Sequence, residues 1–154
     1  MILRRGITSF FNWDERGTIP EFTFAEFKRI VFAVSTVQRL AVSQLSERHV
    51  TPNFHLARLD DSKLSVLMLG HSTYPLIAFA KPENGHATKL LFVDCSRIAD
   101  AMQNLFQDVT IADANELNQE LTESDMSVLD LIEREQIEYW KPKTIGEVAF
   151  NWWD

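Results

Sequence analysis

From Pro52 to Cys95 the chain is a series of short apolar runs cut by turn residues, and this texture limits its fold more than any other feature. Phe54 to Leu59 is followed by Asp60-Asp61-Ser62, Leu64 to Leu69 by Gly70-His71-Ser72, and Leu76 to Ala80 by Pro82-Glu83-Asn84-Gly85; Leu90 to Val93 closes the series. Short apolar runs bounded by Gly, Pro, Asn, Asp and Ser are strands joined by turns, which predicts a four-stranded antiparallel meander. The runs are apolar nearly throughout instead of alternating, so both faces of the sheet are expected to be covered.

Helices are the natural cover. From Thr23 to about Leu45, apolar residues recur at three- and four-residue steps, with Phe27, Val31, Val34 and Val37 on one face, and the spacing predicts a long N-terminal helix against the sheet. Thr23 and Glu26 form a capping box, with Phe22 and Phe27 placed to staple the first turn. Ser96 reads as the cap of a helix through Ile98, Met102 and Phe106, and Val109 to Ile111 as a short edge strand. Asp113 with Glu116, and Ser124 with Ser127, mark two further helix starts, the second helix ending near Glu135. Ile7 to Phe11 reads as a strand joining the meander. The expected architecture is a single α+β domain over residues 1–154, with four to six strands and C-terminal helices packed on the sheet.

At 154 residues, with 45% hydrophobic and 24% charged side chains, the chain can bury a core without staples. One cysteine, Cys95, precludes an internal disulfide and points to a reducing compartment. No stretch approaches the ~18 apolar residues of a membrane span, and residues 1–15 contain no apolar signal region, so a cytoplasmic protein is expected.

Signatures of catalysis are sparse. The chain holds no P-loop, G-x-G-x-x-G, G-x-S-x-G or H-E-x-x-H motif, and His49, His55, His71 and His86 lie in separate turns or strands without ligand spacing. No cofactor or metal is expected. Cys95, at a strand-to-helix junction with His71 in a loop that can approach it, is the best nucleophile candidate, against the commoner role of a free Cys as a small buried hydrophobe. Asp60-Asp61 reads as turn chemistry, and Glu133 and Glu135 fall on different sides of a helix, which excludes an acid/base dyad.

Charge is unevenly distributed. Residues 1–93 carry a net +3, residues 94–138 a net −10 with only Arg97 and Arg134 as cations, and the last sixteen are neutral, giving −7 in all. So acidic a third disfavours nucleic acid and anionic membranes as partners and favours a basic protein. Asp113, Glu116, Glu120, Glu123, Asp125 and Asp130 are the expected partner-binding residues.

The last fifteen residues hold three of the four Trp, which must dock in the core or a partner; helix and strand are both open there. Their pattern, Trp140-x-Pro142-x-x-x-Gly146-Glu147-x-x-Phe150-Asn151-x-Trp153-Asp154, resembles the C-terminal signature of immunity proteins of contact-dependent growth inhibition and related polymorphic toxin systems. The resemblance implies a cytoplasmic, non-catalytic inhibitor that binds a cognate toxin domain, often a nuclease, and occludes its active site without a cofactor. Two other classes fit the composition: an acidic chaperone for a secreted effector, and a Cys95-dependent enzyme.

Overall fold

The computed structural model describes residues 3–82 and 89–154. The turn expected at Glu83-Asn84-Gly85, with His86, lies outside the described residues. Five strands, β1 (Ala41–Ser46), β2 (Phe54–Asp60), β3 (Ser65–His71), β4 (Leu76–Ala80) and β5 (Phe92–Val93), form an antiparallel sheet in chain order. A sixth, β6 (Thr110–Ile111), pairs in parallel with β4, with Leu76 opposite Thr110. The central hairpin is in continuous register from Phe54 opposite His71 to Asp60 opposite Ser65. Asp61 closes its turn, accepting from the amides of Lys63 (2.8 Å) and Leu64 (2.7 Å) as an Asx turn does.

Along β2 to β4 successive apolar side chains enter opposite layers. Ala57, Leu59, Val66, Met68, Ile77 and Phe79 meet α1 (Phe24–Gln38) and α2 (Ser96–Leu105) through Phe27, Ile30, Val31, Val34, Ile98 and Met102. Phe54, Leu69, Leu76, Ala78 and Ala80 meet the opposite layer, built from Leu3, Ile7 and residues of α3 (Ala114–Leu117), α4 (Leu131–Trp140) and α5 (Ile145–Ala149). The sheet is therefore the middle of three layers, which explains why its strands lack a polar face.

Several expected boundaries move. α1 spans 15 residues, so the long N-terminal helix is not formed: Arg39 turns left-handed (φ 53), Leu40 donates back to Ser35 (2.9 Å), and the chain continues as β1. Val37, expected in the packed face, is 57% exposed. α2 begins at Ser96 itself, with Cys95 as its cap residue. Residues 122–129 form successive four-residue turns instead of a helix starting at Ser124, and α4 starts at Leu131 because Asp130 and Glu133 form the reciprocal capping box. α4 then runs to Trp140, beyond Glu135. The open choice at the C-terminus resolves as a helix, α5, capped by Thr144.

Residues 7–11 are not a strand. Gly6 (φ 82) and Ser9 (φ 65) turn this segment over the end of the sheet, where polar groups clasp both ends of the described chain. Glu133 accepts from the Gly6 amide (2.9 Å) and the Thr8 hydroxyl (2.8 Å). Asn53 donates to Ile7 O and Ala149 O, both at 3.1 Å, and its side-chain oxygen accepts from the Asn151 amide (2.9 Å). Asn151 in turn donates to Thr8 O (3.2 Å) and Val148 O (2.9 Å). No buried side-chain polar atom among the described residues is left without a partner, as a low-dielectric interior requires.

Candidate functional site

The six expected partner-binding carboxylates fall into two groups. Asp113 accepts from the Glu116 amide (3.0 Å) and caps α3; Asp130 accepts from the Glu133 amide (3.2 Å), caps α4 and pairs with Arg5 at 2.8 Å. Asp125 accepts from the Thr122 hydroxyl (2.7 Å) and amide (2.9 Å), and the hydroxyl bond leads in holding its carboxyl below the usual carboxylate range. These three anchor backbone. Glu116, Glu120 and Glu123 are exposed and point to solvent, Glu123 meeting the Arg134 guanidinium at 3.2 Å. Arg134 also donates to Met126 O (2.7 Å), which fastens the acidic turn onto α4. The residues around Glu120 are fixed from the other side, because Leu121 donates to Lys143 O and Ile145 to Gln119 O.

α4 adds to this surface what charge counting missed. Glu133 and Ile137 face inward and are buried, while Leu131, Glu135, Glu138 and Tyr139 follow helical spacing on the outward side. Leu131 is 73% and Tyr139 75% exposed, with Val128, one turn earlier, at 53%. The signal was present in the sequence as Leu131 and Tyr139, eight positions apart with Glu135 and Glu138 between them, but misplacing the start of α4 hid which side they faced.

The C-terminal motif is committed to architecture. A β-carbon on Gly146 would lie 2.3 Å from the Phe92 ring, so only glycine lets α5 approach β5. Glu147 accepts from the Lys143 amide (2.6 Å), Phe150 is buried against Phe54 and His71, and Asn151 belongs to the clasp. Trp140 and Trp153 stack with centroids 6.4 Å apart and planes 2° from parallel, and with Trp152 they line a cleft of about 380 Å³ that also touches Lys89 and Lys141.

Neither buried histidine is arranged as a base. His71 Nδ1 accepts from the amides of Thr73 (3.0 Å) and Tyr74 (3.1 Å), so Nε2 carries the hydrogen and donates to Ile7 O at 2.7 Å. His55 is held likewise, accepting from the Arg48 amide and donating to Phe22 O, both at 3.0 Å. Burial leads in lowering both, His71 to about 4. Each imidazole is thus neutral with both nitrogens occupied, and none is free to take a proton from a neighbouring hydroxyl or thiol. Cys95 is a free thiol, 8% exposed, in the apolar layer between the sheet, α1 and α2. The structure does not bring His71 to it. Asp61 is held down to about 2, chiefly by the Arg97 guanidinium at 2.6 Å, and serves its turn. Among the described residues no three His, Cys, Asp or Glu side chains converge as a metal cage, and no helix is long and apolar enough to cross a membrane.

No family model, curated protein or solved structure matches this chain, so the reading of its function rests on the surface formed by α3, the turns that follow it and α4.

Proposed function

We propose that the chain is a stoichiometric protein inhibitor, an immunity protein that works in the cytoplasm by binding one cognate toxin domain and covering its active site. The observation that carries this reading is that Glu116, Glu120, Glu123, Glu135 and Glu138, spread from α3 through α4, all face solvent, with Arg134 paired to Glu123. Such a field attracts a basic cleft of the kind that holds phosphates in nucleases, and it raises the encounter rate through long-range attraction. Inhibition by this route needs no bond-making step and no cofactor. Rigidity supports the role: the acidic turns are pinned to α4 and α5, so little conformational freedom has to be lost on binding.

The test starts from the neighbouring gene, which this reading expects to encode the toxic C-terminal domain of a secreted protein, and co-expresses its product with this chain; a neighbour of any other kind counts against the reading. A one-to-one complex that survives gel filtration and abolishes the toxin's activity is the expected result. Free migration of the two proteins at micromolar concentration, with toxicity intact, would refute the proposal.

A further inference from the structure

We infer that the outward face of α4 is the ridge the partner grips, with Leu131 and Tyr139 as apolar anchors and Glu135 and Glu138 between them to meet cations. This rests on the inhibitor reading and adds the chemistry of the contact: a basic protein surface with two apolar sockets.

α4 is held so that its outward face cannot roll inward. Glu133 is fixed by Gly6 and Thr8, Ile137 is buried, and both helix ends are capped, by Asp130 and by Lys141 in the left-handed conformation. The face that remains carries two of the most exposed large apolar side chains in the described chain, eight residues apart and so about 12 Å along the axis. Trp13, equally exposed at 76%, lies under the Arg16 guanidinium at 3.8 Å and thus has a local partner. Among the described residues Leu131 and Tyr139 belong to neither apolar layer, and the ring contact of Tyr139 is with its neighbour Trp140.

Water around a leucine and a tyrosine is released when each enters a socket, which drives apolar contacts together. Aromatic and aliphatic anchors at helical spacing, seated in a groove, are a recurring recognition mode, and a few such anchors carry most of the binding energy. Charge selects the occupant. Glu135 and Glu138 make no ion pair among the described residues, and Arg134 on the same helix is turned toward Glu123 and Met126 O. A neutral or acidic groove would bury them uncompensated, whereas lysines or arginines beside the sockets would pair them.

The experiment measures binding of the neighbouring-gene toxin domain to the wild type, to Leu131→Ala/Tyr139→Ala, and to a control, Val37→Ala/Leu105→Ala, which truncates exposed apolar groups on α1 and α2. The anchor variant is expected to weaken Kd about a hundredfold or more, mainly through faster dissociation, with an unchanged melting temperature. The control should stay within about threefold, the additivity error of remote surface sites. Glu135→Lys/Glu138→Lys should lower the association rate at low salt. Equal affinity of anchor variant and wild type would overturn the inference while leaving the inhibitor reading intact. Failure of the wild type itself to bind would overturn both. A wild-type dimer in sedimentation that the anchor variant abolishes, with toxin affinity unchanged, would also overturn it, because the ridge would then serve a second copy.

Discussion

His71 shows how one buried side chain couples stability to acidity. Burial, aided by nearby Arg48, holds the imidazole down at about 4 from the ordinary 6.5, against the raising effect of its bond to Ile7 O. The unfolded chain therefore binds a proton that the native ring refuses. Stability from the neutral ring is complete above pH 6.5 and drains away as pH falls to about 4, with about 3 kcal/mol at stake. His55 acts in the same direction. Glu133 acts in the opposite one: burial raises its carboxyl pKa, so its contribution is complete below the ordinary 4.5 and lost as pH rises through the folded value. Urea midpoints at pH 7 and pH 5 should show a clear loss for the wild type, and a shallower one for His71→Asn, which starts from lower stability. Equal slopes would show that the ring does not drive the dependence.

At the scale of elements, close approach is decided by glycine. Gly146→Ala should cost about 1–3 kcal/mol, because its β-carbon meets both the Phe92 ring and Leu117 O, at 2.9 Å, and the latter is backbone that cannot swing aside. Gly17→Ala, with nothing within 4 Å, is the control and should melt with the wild type. The strands and α1 could be read from the chain because local signals and burial agree there: turn residues bracket each run of the meander, and Thr23 with Glu26 states where α1 begins. The end of α1 was hidden because its left-handed cap is Arg39, not glycine, and because Leu40, Ala41 and Leu45 satisfy helical spacing as well as a strand. Ser124 and Ser127 misled for a related reason: Thr122 and Asp125 close a turn with the same cap chemistry that starts a helix. Of the candidate site, the charge was legible, but the difference between Asp113 and Asp130 as helix caps and Glu116, Glu120 and Glu123 as solvent-facing carboxylates depended on knowing where α3 and α4 start.

At the scale of the whole molecule, the sheet separates two chemistries. α1 and α2 cover one face, and the proposed binding surface grows from the helices on the other, with its exposed glutamates outside the core. Reversing Glu116, Glu120 and Glu123 to Lys should therefore leave the melting temperature nearly unchanged, slow association with the cognate toxin by about tenfold at low salt, and flatten its salt dependence. A triple variant that associates at the wild-type rate would reduce this surface to a solvated one and move the contacts to the turn at Asp61.

The clasp that joins Thr8 to Asn151 bridges 143 positions of sequence, and so it also sets an order of events in time. Drawing such distant segments together costs chain entropy that only the assembled sheet repays, while the hairpins of the meander close over a few residues. The clasp is thus expected to form after the rate-limiting step. Asn151→Ala, which strips partners from Thr8 O, Val148 O and the Trp153 amide, should then accelerate unfolding many-fold while leaving the folding arm of the chevron almost where it was. Mechanical or proteolytic attack would find the same weakness, since the layer that carries α4 is latched by its last bonds to form and its first to open.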